Sequence, residues 1–563
     1  MKRVGLVMFV VILWSTNSFA QSAPAVPDIA PLERAVQESP QDANVHVQLS
    51  QGYAMVDRPL QALEAMEHAV AISPDSVDFL RARATLATWA GDYARARDSY
   101  RRLAKLQPDD HDVALNFARV NAWSGRTDAA VDAYKQYLRA KPDSPSGWIE
   151  LARSEMWRGN YAAALDNLDT YQDRFGNDDA CTRERAAVLA RAGRPREALD
   201  ILEPLFRAHA DDYELTLTRT IALTADRRTR EASQAFDALR QLQPDSSDTR
   251  SVERTVRNAL GSTADPGVNL YRDSSTLEIL RVEPRATMVF ASGTALSGGF
   301  EHEQLRADKG SGLEQIDGTE SARHDQIWIG AAHPFAGVNL RGRVGQSRTA
   351  IDSLTAYAIG ADVMPFDGLT LSVERSSGLF VVSPRTVGLG LHQVSHSGRV
   401  EWSPTLRLVV AGNVRSQTLS DNNRRWEFTL QPRYSVARTE RLNLDLGAVV
   451  GHLSTRTNYD NGYYDPSRYQ YYGFTAYPYW KMRENVGLGM SLGLGAQRDD
   501  FSPAFRPGGN ASAEATFGIF KPWALKVSGG GIFNQRLGSG AFGGYSASVS
   551  VIRKFSFTSS AAR

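Results

Sequence analysis

Six alanines, Ala62, Ala96, Ala130, Ala164, Ala198 and Ala232, stand 34 residues apart in a chain of 563. A period kept this strictly means that one structural unit is stacked repeatedly. A position held to a methyl group marks a place where two helices cross too closely for anything larger. Pro40, Pro74, Pro108 and Pro142 keep the same spacing, and Pro244 falls three periods beyond Pro142. Gly91, Gly125, Gly159 and Gly193 follow the proline positions at a constant offset. Stacked helix pairs have such a period, because one pair cannot bury its apolar face alone.

The stretch "GDYARARDSYRRLAKLQPDD" at 91–110 resembles the second helix and closing turn of tetratricopeptide (TPR) repeats. That resemblance implies a TPR solenoid of six repeats over residues 41–260. Residues 246–260 are expected to form a polar capping helix, and 21–40 an N-terminal segment with a half-repeat. Trp89, Trp123 and Trp157 form a second ladder with the 34-residue spacing. The resemblance puts this position near the end of each first helix, on a surface that is often concave. Two readings stay open: packing between repeats, or a stripe that grips a glycan or partner segment.

Near Gly261 the helical period gives way to alternation. Val486, Leu488, Met490, Leu492 and Leu494 alternate with glycines and a serine, and Leu442, Leu444 and Leu446 with Asn443 and Asp445. One face is apolar and the other small or polar, as a lipid-facing wall around a wet lumen requires. Short connections such as "RTER" (438–441) and "MREN" (482–485) alternate with long ones such as 306–323 and 457–467. Fifteen strands can be marked between 276 and 557. A chain that enters from the helical side needs one more outward strand, and "GVNLYRDS" (267–274) supplies it. The fold class expected is therefore an all-α TPR solenoid followed, over 261–563, by a transmembrane antiparallel β-barrel of about sixteen strands. Phe555 and Phe557 close the last strand, as barrel-assembly signals do.

The N-terminus bears on compartment. Lys2 and Arg3 precede an apolar run from Val4 to Trp14, and Ser18-Phe19-Ala20 offers a cleavage site. Residues 1–20 thus read as a signal peptide. No later stretch has eighteen consecutive apolar residues, so membrane embedding would be by a barrel. Cys181 is the one cysteine, which excludes an intramolecular disulfide, and the net charge of +1 suggests no grip on nucleic acid. The expected location is the outer membrane of a Gram-negative bacterium, with the N-terminal domain in the periplasm.

The segment "NGYYDPSRYQYYGF" (461–474) reads as an outer loop feeding an aromatic strand. Tyr469, Tyr471, Tyr477 and Tyr479 share one face of it, and Tyr472, Phe474 and Trp480 the other. The expectation is that the second set lines the pore, with Arg341, Arg343, Glu401 and Arg433. Neither sign dominates among the inner charges, which also include Glu301, Glu303, Arg399 and Arg407, so a neutral or weakly charged polymer is expected. His392 and His396 share a strand face without a further ligand in sequence, and no catalytic motif occurs. No enzyme activity, metal or cofactor is expected.

Signal peptide, TPR array and terminal barrel together resemble the outer-membrane exopolysaccharide exporters, of the cellulose synthase C subunit and poly-N-acetylglucosamine exporter type. "GYYDP" with its following aromatics is similar to a segment of the cellulose-type barrel. The resemblance implies export of an exopolysaccharide, with the TPR array guiding the polymer or binding periplasmic or inner-membrane synthase components. Outer-membrane lipids, and the barrel-assembly machinery during biogenesis, are the further implied partners. The alternative is a TPR-barrel translocator of surface lipoproteins, or a phage or surface-recognition receptor.

Overall fold

The computed structural model describes residues 28–335, 337–500, 502–535 and 541–555. The expected signal peptide and Phe557 lie outside the described residues. The chain divides into two compact units, residues 1–188 with 245–248, and 189–244 with 249–563.

The first unit opens with the helix Ala30–Glu38 and continues as antiparallel pairs, of which Ala43–Met55 with Pro59–Ile72 is the first and Pro145–Trp157 with Tyr161–Phe175 the last. Each pair owes its limits to local chemistry. Asp42, Ser76, Asp110 and Ser144 are N-caps whose side chains accept backbone N–H groups of the first turn, satisfying donors that the helix leaves free. Gly91, Gly125 and Gly159 take φ between 74° and 80°, the left-handed conformation that a side chain resists and that lets the chain reverse into the second helix. Ala62, Ala96, Ala130 and Ala164 are fully buried, as a close helix crossing demands. Successive repeats are also joined by charge: Arg119 pairs with Glu150 at 2.7 Å and Arg153 with Glu184 at 2.5 Å.

The second unit begins with helices of the same design, including Pro195–Ala208, Tyr213–Ala225 and Thr229–Leu242, where Ala198 and Ala232 are again fully buried. It then becomes one closed antiparallel sheet. Eighteen strand segments are hydrogen-bonded in a ring, and two interruptions reduce them to sixteen strands. Thr263–Asp265 and Gly267–Asp273 are one strand broken at Pro266, since both pair with Ala541–Lys554. Glu278–Val282 and Arg285–Val289 are likewise one strand, both paired with Ala295–Arg306. The strand inferred at 267–274 is the one that closes the barrel. Closure removes the exposed edges that a sheet of this length would otherwise present.

The turns 364–368, 403–407 and 518–522 lie at the barrel end that meets the helices of this unit: Arg196 donates to the Met364 carbonyl at 2.6 Å and Asn258 to the Ile519 carbonyl at 3.3 Å. This is the near end. The longer connections 307–320, 380–391, 456–468 and 499–505 are at the far end. No described helix is long and apolar enough to cross a membrane.

Candidate functional site: the barrel lumen

Which strand face points inward follows from one cavity. Arg281, Glu303, His324 and Gln326 on one wall, and Gln393, Arg415, Gln417 and Arg425 on another, converge on a chamber of about 340 Å³. Residues directly opposite in a ladder share a face, so the assignment passes from strand to strand. Gln417 opposes Arg425, Glu427 opposes Leu453, and Leu453 opposes Tyr469. Tyr469, Tyr471, Tyr477 and Tyr479 therefore face the lumen.

This corrects the expected faces of the aromatic strand. Tyr472, Phe474 and Trp480 point outward, and Phe474 is 80% exposed beside Leu494 at 76%. The neighbouring strand explains the arrangement. Its leucines 488, 492 and 494 share the outer face, while Gly487, Gly489, Gly493 and Gly495 share the inner one. The inward tyrosines lie down over those glycines: a Cβ on Gly493 would come within 3.6 Å of the Tyr471 hydroxyl, and one on Gly489 within 3.6 Å of the Tyr479 ring. Missing side chains make room for rings flat against the wall. Tyr469 donates to Gln497 at 2.8 Å, and Arg433 stacks over Tyr477 at 5.3 Å.

Arg341, Arg343, Glu401 and Arg433 all fall on the inner face by the same register. Arg341 bridges to Asp362 and, at 3.1 Å, to Glu374, and Arg343 lies over Trp328 at 6.0 Å. Other inner charges are paired across strands, Arg281 with Glu301 at 3.1 Å and Lys526 with Glu514 at 3.2 Å.

The outer face is apolar. Ile327, Ile329, Ile359 and Val373 are more than half exposed. Toward the near end they are bordered by exposed Phe335, Trp402, Tyr434, Trp480, Phe517 and Trp523, and toward the far end by Trp426, Tyr472, Phe505, Phe533 and Tyr545. Two aromatic belts around an apolar band are the surface of a transmembrane barrel. His392 is bound to Asp352 at 2.5 Å, His396 faces outward, and no group of three metal-ligating residues exists among the described residues.

At the far end the connections interlock over the chamber. The short helix Pro384–Gly388 holds Arg385, which donates to the Glu314 carbonyl at 3.2 Å and the Asp460 carbonyl at 3.3 Å. Tyr463, from "NGYYDP", is buried against Phe380; its hydroxyl donates to Asp421 and accepts from Asn423, both at 2.8 Å. Burial raises the Tyr463 phenol above its ordinary value. Phe380, Val381 and Val382 form the chamber's cover.

Beneath that cover Ser347 is 2.7 Å from His324, and His324 is 2.8 Å from Glu303. The order is that of a nucleophilic triad, but Ser347 is 1% exposed and does not line the chamber. The strand N–H groups around it are committed to the ladder, leaving no backbone oxyanion donors. Glu303 is also held by Arg281 at 2.6 Å. The cluster braces four adjacent strands.

Of the tryptophan ladder, Trp89 packs against the core of the first unit, while Trp123 is 37% and Trp157 41% exposed. Both sit at the last residue of their helices.

Residues 56–111, 81–145 and 115–180 each match the tetratricopeptide repeat family. No curated protein sequence matches the chain. Among solved structures, a bacterial polysaccharide outer membrane secretin is 12% identical over 53% of this chain and 99% of its own, with a TM-score of 0.45. A tetratricopeptide repeat protein from Parabacteroides merdae is 16% identical over 40% of this chain and 90% of its own, TM-score 0.35. PilW, a type IV pilus biogenesis factor, is 21% identical over 33% of this chain and 86% of its own, TM-score 0.28.

Proposed function

We propose that this chain exports an exopolysaccharide across the outer membrane of a Gram-negative bacterium. The helical repeats stand in the periplasm, where they guide the polymer or bind synthase components, and the barrel is the exit pore. One observation carries this reading: an inner wall of tyrosines laid over glycines, among charges that neutralise one another. Sugar rings present apolar faces to aromatic rings and hydroxyls to the surrounding polar groups. A wall without net sign suits a neutral or weakly charged chain, since a polyanion would call for a basic lumen. Phe555 and the closing strand would be read by the barrel-assembly machinery, and the two aromatic belts would meet the lipid interfaces.

The test is conductance of the full chain in planar bilayers. Neutral oligosaccharides should block it in a length-dependent way, and Tyr471→Ala with Tyr479→Ala should weaken the block several-fold; stacking is worth about 1 kcal/mol or more per ring. Block by oligouronates alone would overturn the reading.

A further inference from the structure

Glu303, His324 and Ser347 face inward, so Arg306, Arg323 and Arg348, each an odd number of residues away along its strand, face outward. They occupy three adjacent strands at the far end. Arg306 opposes Ser321, Arg323 opposes Gln304 and Arg348 opposes Asp325. Each arginine is thus the diagonal neighbour of the next, a separation of about 7–8 Å. Below the row come Phe300, Ile327 and Ile329, at 42%, 64% and 67% exposure.

The carboxylates nearby only partly neutralise this row: Asp325, directly opposite Arg348, sets one negative charge against three positive ones. Asp325 is engaged by His302 at 2.6 Å. Arg306 reaches Glu320 at 3.6 Å, with both side chains well exposed, a contact worth little. Among the described residues the side chains of Arg323 and Arg348 make no ion pair or hydrogen bond. A guanidinium stays charged in any protein setting, and on the lipid side of a barrel its cost grows with depth. Three of them directly above an apolar band leave an excess of positive charge that anions from outside the protein can meet. Guanidinium forks match phosphate in a bidentate manner, and several in one row suit a headgroup carrying more than one phosphate.

We propose that the far-end outer face of the strands Ala295–Arg306, Ser321–Phe335 and Val338–Thr349 binds the phosphorylated saccharide headgroup of an outer-leaflet glycolipid through Arg306, Arg323 and Arg348. This rests on the outer-membrane reading above and adds a specific lipid to it. The site holds the barrel at a fixed depth and orients it toward the leaflet that contains that lipid.

The full chain, purified in a neutral detergent, is titrated with bis-phosphorylated lipid A, its dephosphorylated counterpart and phosphatidylglycerol. Thermal unfolding and lipid retained after gel filtration are the readouts. Bis-phosphorylated lipid A should raise the unfolding temperature and be retained, and the dephosphorylated form should not. Each Arg→Gln change should weaken binding about fivefold, the worth of one basic residue at an anionic surface. R323Q alone and the triple R306K/R323K/R348K should fold as wild type, and the lysine triple, which keeps the charge but loses the bidentate fork, should bind more weakly than wild type and more tightly than the glutamine triple. Equal binding by wild type and R306Q/R323Q/R348Q, or equal binding of phosphatidylglycerol, would overturn the inference. A chain that stays soluble without detergent would instead overturn the membrane reading itself.

Discussion

The carboxylate of Asp367, in a near-end turn of the barrel, caps a helix that begins at Pro195, accepting the backbone N–H groups of Arg196 and Glu197 at 2.8 and 2.9 Å. That helix has no side-chain cap of its own: its N-cap residue is Arg194 and its first residue is proline. The first free amides thus meet an anion supplied by the turn, where the helix dipole favours one. Arg194 reinforces the joint by donating to the Asp367 carbonyl at 2.5 Å. Within this unit the last helices are fastened to the barrel rim.

Asp367→Ala removes both acceptor bonds. The loss should be about 1–2 kcal/mol, as for other N-caps, and local to the joint. Hydrogen exchange of the full chain should show the 195–208 amides opening roughly tenfold more often, with the barrel strands unchanged. Unchanged protection of 195–208 would mean that the cap contributes nothing.

How much of this was legible beforehand differs by level. The alanine register gave the helix pairs because a fully buried methyl is a one-position constraint repeated six times. The caps have a signal of their own in the sequence, since Asp42, Ser76, Asp110, Ser144, Asp178 and Asp212 keep the same period. Barrel closure was legible from turn parity. The faces of the tyrosine strand cannot be told apart from that strand alone, because both carry aromatics. The neighbouring strand held the answer, since its glycines and leucines alternate and the ladder ties tyrosine to glycine. The Asp367 cap joins residues about 170 apart in sequence, and no local pattern announces such a pairing. The arginine row needs the register of three strands at once.

The flat tyrosines give a prediction about pore width. A Cβ on Gly487 would collide with the Tyr479 hydroxyl, so Gly487→Ala should swing that ring off the wall and narrow the lumen. Single-channel conductance should fall, and adding Tyr479→Ala should restore it. A conductance indifferent to Gly487→Ala would mean that the ring does not depend on the missing side chain.

Tyr463 ties the far-end connections together through Asp421 and Asn423. Tyr463→Phe removes the hydroxyl and leaves both partners short of a bond, a loss of about 1–2 kcal/mol. If the cover over the chamber must move for passage, this shifts its balance by roughly tenfold. Open events in bilayers should lengthen accordingly, and their durations are the measurement.

The first unit should lose stability in acid through Asp178. Its carboxylate accepts the Cys181 N–H at 2.8 Å and the Tyr171 hydroxyl at 2.7 Å, and these bonds, the backbone one foremost, hold its pKa below the ordinary 3.8. A folded-state value depressed in this way contributes stability that is fully present above the unfolded pKa. It is lost as pH falls through the folded one. The helical unfolding transition, followed by far-ultraviolet ellipticity, should therefore drop below about pH 4. Asp178→Asn should flatten that dependence while lowering stability at neutral pH. An unaltered acid limb in the variant would assign the effect to other carboxylates.

The tryptophan ladder separates packing from binding. Trp89 is packed against the core, and Trp89→Ala should approach the cost of emptying a core site, about 3 to 5 kcal/mol. Trp123 and Trp157 keep more than a third of their surface open, so truncating both should cost less, about 1–3 kcal/mol in all, and leave the helices folded. An open indole is a stacking platform for a sugar face or a partner segment. The double variant Trp123→Ala/Trp157→Ala should therefore lose binding of neutral oligosaccharides to the helical repeats, while its far-ultraviolet spectrum stays that of the wild type. Indole fluorescence gives the binding curve, with Trp89, Trp148 and the barrel tryptophans as an unchanging background. A folded double variant that still binds with wild-type affinity would assign the ladder to packing alone and move glycan recognition to the barrel.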